Sequence, residues 1–469
     1  MQLKSKLNNR IAILVVALIF IFSPILSQHL FAGYKPDELT CKMQVGADIE
    51  IINATYGTTI KSRLIETNCY LLMIQSGNDA ESLATVIDVR PDVAYCRPNY
   101  FLTAPEPFQR SQPFLDYEGI GDFPAQTITL TLDLLDVQAI TLGTDVKIAV
   151  IDGGVDFYHP LFSDKAGDVI SGWDYVDNDD LALDEPGGSC SGHGTFIAGV
   201  LKLIAPEATI ISYRVLDTTG AGDGYAIAAA ILRAINDSCK AINLSLGMVG
   251  DNEAIDDVLQ YAKDNNVMVV AAAGNDSSGS NLTFPFPASR INSIAVAALD
   301  TMNLKADFSN YGEKVDLCAP GTAIYGPYMD NLYGWWDGTS FSTPIVTALV
   351  ALINSVNPNL MWDDIHNIIC QTSTNIDSYN PEYEGLLGYG MVDMIKALEM
   401  SLPYMGGDAN RDSQVNILDI VYIIDYLYKD GFVPLPVSVA DVNVNESVNI
   451  IDITYLIIYL YKDGPVPEN

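Results

Sequence analysis

Val146-Lys147-Ile148-Ala149-Val150-Ile151-Asp152-Gly153-Gly154 opens as a run of apolar, mostly β-branched residues and ends on a carboxylate and two glycines. Such a run reads as a strand buried on both faces and stopped by a turn. Similar runs recur at 209–212, 241–244, 267–272 and 294–298, with helix-like stretches at 226–235 and 253–265 between them. Strands alternating with helices predict a parallel α/β sheet. In such sheets the reactive side chains collect beyond the carboxyl ends of the strands.

The 469 residues leave room for two to four domains, and 49% apolar residues mark a globular protein. With 24 Lys+Arg against 59 Asp+Glu, nucleic acid and anionic membrane surfaces are disfavoured as partners. The balance suits a secreted protein or a binder of cations, and most of the charge reads as solvated surface. Lys4, Lys6 and Arg10 precede an apolar run at 11–22, a secretory signal pattern with cleavage after Ser27 or Ala32. That run is shorter than a membrane span, and no other stretch is long enough, so no span is expected in the mature form. An uncleaved anchor is the alternative. Three of the seven cysteines (41, 69, 96) fall early and four (190, 239, 318, 370) late. The later group could form two bridges, the earlier one leaves an odd thiol, and the spacing fits no zinc pattern.

Four positions at strand ends or glycine-rich turns carry chemistry. Asp152 ends the opening run. His193 stands in Ser191-Gly192-His193-Gly194-Thr195 before a helix-like run at 196–201. Asn275 ends Ala271-Ala272-Ala273-Gly274-Asn275. Ser340 lies in Gly338-Thr339-Ser340-Phe341-Ser342-Thr343-Pro344. Singly these are a turn aspartate, a structural histidine, a turn asparagine and a helix cap. Together they supply a nucleophile, a base, an orienting acid and an oxyanion donor.

The order Asp…His…Ser, with Val-Ile-Asp-Gly-Gly-Val-Asp, Gly-His-Gly-Thr, Ala-Ala-Gly-Asn and Gly-Thr-Ser-Phe-Ser-Thr-Pro, resembles the four signature blocks of the subtilisin-like (subtilase) serine proteases across about residues 130–400. The resemblance implies a subtilisin-like parallel sheet flanked by helices. It implies peptide hydrolysis by Asp152, His193 and Ser340, with the Asn275 amide and the Ser340 backbone N–H as oxyanion donors and no cofactor for the chemistry. It further implies that Ser245, Leu246 and Gly247 pair with one side of an extended protein or peptide substrate and Gly220, Ala221 and Gly222 with the other. Ordinary turns are the alternative for both segments. Ala273 and Gly274 join this substrate set. Asp276 could favour basic side chains at the first pocket and Phe284-Pro285-Phe286-Pro287 apolar ones. Gly153 stands where the family usually has Thr or Ser, and Phe341-Ser342 replace the usual Met-Ala. The stretch 199–206 is short where many relatives carry a calcium loop, and 159–162 lacks a supporting aspartate, so that calcium site is not expected.

Residues 33–102 resemble, chiefly over 91–100, the propeptide inhibitor domain of subtilases, a small α+β unit with strand-like runs at 70–74 and 84–87 and a tail in the cleft. The stretch 104–126 reads as an exposed linker, and the processing site is expected within 101–126. At the other end, 416–431 recurs as 449–464, each copy after a run of oxygen-bearing side chains. Asp408, Asn410, Asp412, Gln414 (through its carbonyl), Asn416 and Asp419 form the first set. Asp441, Asn443, Asn445, Ser447, Asn449 and Asp452 form the second. Their spacing is that of an EF-hand loop, with Ser413 and Glu446 in place of the usual glycine. The pair resembles an all-α dockerin module with paired EF-hand-like Ca²⁺ loops. That resemblance implies docking onto a cohesin through Ile417, Leu418, Ile450 and Ile451. The expected order is therefore signal peptide 1–32, propeptide-like domain 33–102, linker 103–129, peptidase domain 130–402 and dockerin 403–469. A catalytically silent binding protein on the same scaffold is the competing reading.

Overall fold

The computed structural model describes residues 33–467 except 76, 105–111, 120, 164–167, 249, 281–283, 404, 413, 430, 435–436, 446 and 463. The expected signal segment, Ser413 and Glu446 lie outside the described residues.

The leading unit runs β1 (Tyr34–Met43), α1 (Ile49–Tyr56), β2 (Thr58–Leu64), β3 (Cys69–Ile74), α2 (Ala80–Asp88) and β4 (Val93–Thr103). Its sheet has the order β2-β3-β1-β4, antiparallel at each step. The 84–87 run expected as a strand is helical. The Asp79 carboxylate caps it through the Ser82 N–H at 2.9 Å, and Ala80, Leu83, Ala84 and Ile87 fall on one buried face. Cys41 and Cys96 face each other across β1 and β4 and form a disulfide. Cys69, Cys190, Cys239, Cys318 and Cys370 are buried and not disulfide-bonded, so the two bridges considered for the later four are not made.

The described residues of 112–126 are largely exposed, as expected of a linker, but Asp116, Phe123 and Gln126 are buried and tie the stretch to the main body. β5 (Phe114–Asp116) is followed by Gln126, whose amide both donates to the Tyr325 carbonyl (2.7 Å) and accepts from the Tyr325 N–H (3.0 Å). The Asp116 carboxylate accepts from the Tyr325 hydroxyl at 2.8 Å. Two polar residues of the stretch are thus satisfying buried groups of Tyr325. Two short helices follow, α3 (Thr127–Thr131) and α4 (Leu134–Ile140).

The main body then runs β6 (Lys147–Asp152), β7 (Val169–Asp174), α5 (His193–Ile204), β8 (Thr209–Arg214), β9 (Ala221–Asp223), α6 (Gly224–Asn236), β10 (Ala241–Leu244), α7 (Glu253–Asp264), β11 (Met268–Ala272), β12 (Ile294–Leu299), β13 (Leu317–Pro320), β14 (Ile324–Tyr328), β15 (Leu332–Trp336), α8 (Thr339–Val356), α9 (Trp362–Thr372) and α10 (Met394–Ser401). Seven strands form a parallel sheet in the order β13-β12-β11-β10-β6-β8-β7. Alternate residues feed opposite cores. Ile148, Val150, Met268 and Val270 pack with α5 and α8, whereas Ala149, Ile151, Val269 and Ala271 pack with α6 and α7. This two-sided burial explains why the strands read as unbroken apolar runs. α8 has the length and hydropathy of a membrane span, but 89% of it is buried against the sheet, so it is a core helix. On one side of β6 the chain forms the edge strand β7 and then returns to β8; from β8 it crosses to β10 on the other side and winds outward to β13, which puts the switch point of the sheet between β6 and β10.

The C-terminal unit holds α11 (Ile417–Tyr428) and α12 (Ile450–Lys462). They close on a small core of Ile420, Ile423, Val439, Val442, Ile453 and Leu456.

Candidate active site

Asp152 ends β6 at the switch point, and His193 is the first residue of α5. The Asp152 Oδ1 atom accepts from the Gly153 N–H at 2.7 Å and pairs with His193 Nδ1 at 2.8 Å. Both side chains are fully buried. The glycines around His193 are dictated by contact. Gly192 has φ +84°, and a Cβ there would stand 2.2 Å from the Tyr328 ring. A Cβ at Gly194 would meet the Gly154 carbonyl at 2.1 Å. The imidazole is boxed by Trp336 and Phe341, each with its ring centroid 5.6 Å away.

Ser340 is the second residue of α8, and its Oγ lies 3.4 Å from the Ser245 carbonyl. Pro344 sits four residues on and has no N–H, so the Ser340 carbonyl lacks its usual helical donor. The Ser245 hydroxyl donates to it instead at 2.8 Å. Asn275 follows β11. Its amide oxygen accepts from the Thr339 N–H (2.9 Å) and hydroxyl (2.8 Å), which fixes the orientation of its NH₂.

The cleft is bounded by Gly220–Gly222 on one side and Ser245–Gly247 on the other. The end of β4 runs between them. Leu102 pairs with Gly222 across β4 and β9. Thr103 exchanges both main-chain bonds with Gly247 at 3.0 and 2.9 Å, and the Ala104 N–H donates to the Gly220 carbonyl at 3.0 Å. Leu102 and Ala104 are fully buried there. Leu246 is buried beside the strand. Ala273 and Gly274 contribute shape only, because their main-chain groups are taken by Val296, Thr339 and Asn310. Pro285 lies under both Gly247 and Gly274, where a Cβ would approach it to 2.9 and 2.8 Å. Phe284 and Phe286 are buried around it.

The sequence profile of the Subtilase family matches residues 143–390, and that of the Dockerin type I domain matches residues 406–461. The chain belongs to the subtilase family. It is similar to a thermophilic serine proteinase of Bacillus sp. (strain AK1), 35% identical over 70% of this chain and 77% of that protein. Thermitase of Thermoactinomyces vulgaris is 39% identical over 46% of this chain and 77% of its own length. The crystal structure of fervidolysin from Fervidobacterium pennivorans, described as a keratinolytic enzyme related to subtilisin, superposes with a TM-score of 0.63 at 22% identity, covering 80% of this chain. This chain spans 64% of the fervidolysin chain, and at that identity the likeness speaks for the fold alone. The protein is a subtilisin-type serine endopeptidase with a C-terminal type I dockerin domain.

Around this subtilase site stand groups that sequence reading misses. Asp184 is buried beneath the start of α5. Its Oδ1 accepts from the Gly192 N–H at 3.0 Å, and its Oδ2 accepts from the Thr195 hydroxyl at 2.6 Å and N–H at 3.4 Å. Burial pushes its carboxyl up to about 7, despite those donors and with the charge of Asp152 adding to the rise. Nothing in Leu183-Asp184-Glu185-Pro186 marks it. Thr195, in the Gly-His-Gly-Thr block, was quotable but not interpretable without its partner.

In the dockerin the predicted carboxylates are tied to backbone N–H groups within their own loops. Asp408 Oδ1 accepts from the Asp412 N–H at 3.0 Å, and Asp419 accepts from the N–H groups of Asn410 (3.1 Å) and Asn416 (2.7 Å). Asp441 and Asp452 repeat this with Asn445 (3.0 Å) and Asn449 (2.8 Å), while Asn449 reaches the Ser447 carbonyl at 2.8 Å. Asn443 donates to Asp452. The all-oxygen donor set fits a hard cation. Burial raises the carboxyls of Asp419 and Asp452, a cost that a bound cation offsets. Gln414 sits at the seventh position, with its N–H on Asp412 at 3.0 Å.

Proposed function

We propose that this subtilase is exported as a zymogen, that Asp152, His193, Ser340 and Asn275 carry its chemistry, and that residues 33–104 inhibit it until they are removed. The observation that carries this reading is the Leu102–Ala104 strand, bonded through its main chain between Gly220–Gly222 and Gly247 beside the Asp152–His193 pair. A peptide substrate adds to the same two edges by β-augmentation.

Ser340 Oγ attacks the carbonyl carbon of the presented peptide bond while its proton passes to His193. Asp152 holds the imidazole by its Nδ1 side and stabilises the imidazolium. The carbonyl oxygen becomes an oxyanion that accepts from the Asn275 NH₂ and the Ser340 N–H. Collapse breaks the C–N bond, and His193 returns the proton to the departing amine. Water then hydrolyses the acyl-Ser340 ester by the same route, its proton passing through His193 to Ser340 Oγ.

The dockerin loops are assigned to Ca²⁺, which supplies the charge compensation that locks each loop at the start of its helix. Asp408, Asn410, Asp412, Gln414, Asn416 and Asp419 would hold one ion; Asp441, Asn443, Asn445, Ser447, Asn449 and Asp452 would hold the other. Ile417, Leu418, Ile450 and Ile451 are about half exposed, which supports docking onto a cohesin of a scaffold or surface protein. A serine-directed fluorophosphonate tests the enzyme reading. Labelling is expected after the leading domain is removed and is abolished by Ser340→Ala; an unlabelled processed protein overturns it.

A further inference from the structure

One thiol stands inside the catalytic group without a part in its chemistry. Cys190 lies three residues before His193, in the turn that starts α5. Its N–H donates to the Thr218 carbonyl at 2.9 Å, and its own carbonyl accepts from the His193 N–H at 3.0 Å, so its backbone is pinned on both sides. The Cys190 Sγ, a ring nitrogen of His193 and a carboxylate oxygen of Asp152 all lie within 4.8 Å of one another. Among the described residues this is the one group of three or more His, Cys, Asp and Glu side chains that converges so closely. All three are buried. A second observation points to an ion. The Asp152 Oδ2 atom is buried and has no hydrogen-bond partner among the described residues. A buried anionic oxygen in that state is costly unless a cation or donor reaches it. The space beside the thiol is also open on one side, because residue 153 is a glycine whose Cβ would stand 3.6 Å from Sγ.

We propose that Cys190, His193 and Asp152 form an inhibitory site for a thiophilic divalent cation of the Zn²⁺ class; the inhibitory consequence rests on the catalytic roles proposed above. Thiolate, imidazole and carboxylate are the ligand set that such ions take, and the set is wrong for the hard Ca²⁺ ion assigned to the dockerin. Around a tetrahedral Zn²⁺ neighbouring ligand atoms stand about 3.5 Å apart, so side-chain movements of about 1 Å close the group on an ion, with the fourth position left to water. The thiol proton leaves to solvent as the thiolate binds. His193 and Asp152, once committed to the metal, no longer take a proton from Ser340 or steady the imidazolium. The same atoms therefore serve catalysis or metal, never both.

Two measurements separate this from the protease reading. In full-length Ser340→Ala protein with Ca²⁺ saturating the dockerin, titrated Cd²⁺ is expected to raise the near-ultraviolet cadmium–thiolate absorption to one equivalent. That signal should be lost in Ser340→Ala/Cys190→Ala and in Ser340→Ala/Cys190→Ser. In processed protein with Ser340 intact, Zn²⁺ should slow fluorophosphonate labelling at least tenfold, relative to the same protein without metal. Cys190→Ser should need at least tenfold more Zn²⁺ for the same protection. Equal cadmium absorption with and without Cys190, or an unchanged Zn²⁺ midpoint in Cys190→Ser, overturns the inference. Absence of labelling in the metal-free processed protein sinks the protease reading instead, and leaves the cadmium titration to decide the site.

Discussion

Removing the Asp184 carboxylate should both loosen the fold and misplace the base. In the Ser340→Ala background, which avoids self-digestion, Asp184→Ala strips acceptors from the Gly192 N–H and the Thr195 hydroxyl, both buried. Each orphaned donor costs about 1–3 kcal/mol, so a loss of about 2–6 kcal/mol is expected in urea unfolding. Asp184→Asn keeps one acceptor and should lose about half as much. The pH dependence has a definite sign. The folded carboxyl sits at about 7, above the unfolded value of about 3.9. The folded state therefore holds this proton more tightly. The resulting stabilisation is complete below about pH 4 and is lost as pH rises through about 7. The difference between the two values corresponds to at most about 4 kcal/mol. Asp184→Asn should remove that slope, seen as a shrinking difference between parent and variant as pH rises from about 4 to about 8. With Ser340 present, Asp184→Ala should lower kcat more than tenfold and change KM little, since His193 is carried on the turn that loses its anchor. Unfolding of Asp184→Ala at the same urea concentration as its parent would refute the assignment.

Three further outcomes follow from the geometry. Asn275→Leu should cut kcat about 10²–10³-fold with KM nearly unchanged in peptide hydrolysis, the range for one oxyanion donor in subtilisin-type enzymes; a loss confined to KM would remove its assigned role. Leu102→Asp puts a carboxylate at a fully buried position in the cleft and should make Ser340 reactive to fluorophosphonate before the leading domain is cut; an unreactive uncut chain would detach inhibition from that strand. Asp408→Ala with Asp441→Ala should erase the calcium-dependent rise in the melting temperature of the C-terminal helices and any calcium-dependent capture on a cohesin, read by thermal unfolding with and without chelator and by pull-down.

The parallel sheet was legible because its strands are buried on both faces and so appear as continuous apolar runs. The candidate site residues stood out in the sequence because glycine, which marks close backbone approach, lies within two residues of each of them. The helix at 80–88 was misread as strand because the 84–87 window, Ala-Thr-Val-Ile, is too short to display its period, and the Asp79 cap lies outside it. The ties of Asp116 and Gln126 to Tyr325 were not legible because polar composition cannot tell a solvated residue from one paired with a buried partner. Asp184, Cys190 and Trp336 were missed because their significance lies in partners across the fold. The partners that take up the main-chain groups of Ala273 and Gly274, namely Val296, Thr339 and Asn310, lie far off in the chain and left no mark in the sequence either.

The strand pairing between β4 and β9 also sets a concentration scale. An inhibitory strand tethered to its own cleft acts at an effective concentration in the millimolar range. On the proposed zymogen reading, free peptide must compete with that local excess, and an uncut chain is expected to stay closed even in a substrate-rich medium. Cutting the tether leaves every contact in place but makes the contact bimolecular, and its occupancy then falls as the two pieces are diluted. Export into a large volume would act on such a complex as a switch that needs no further chemistry.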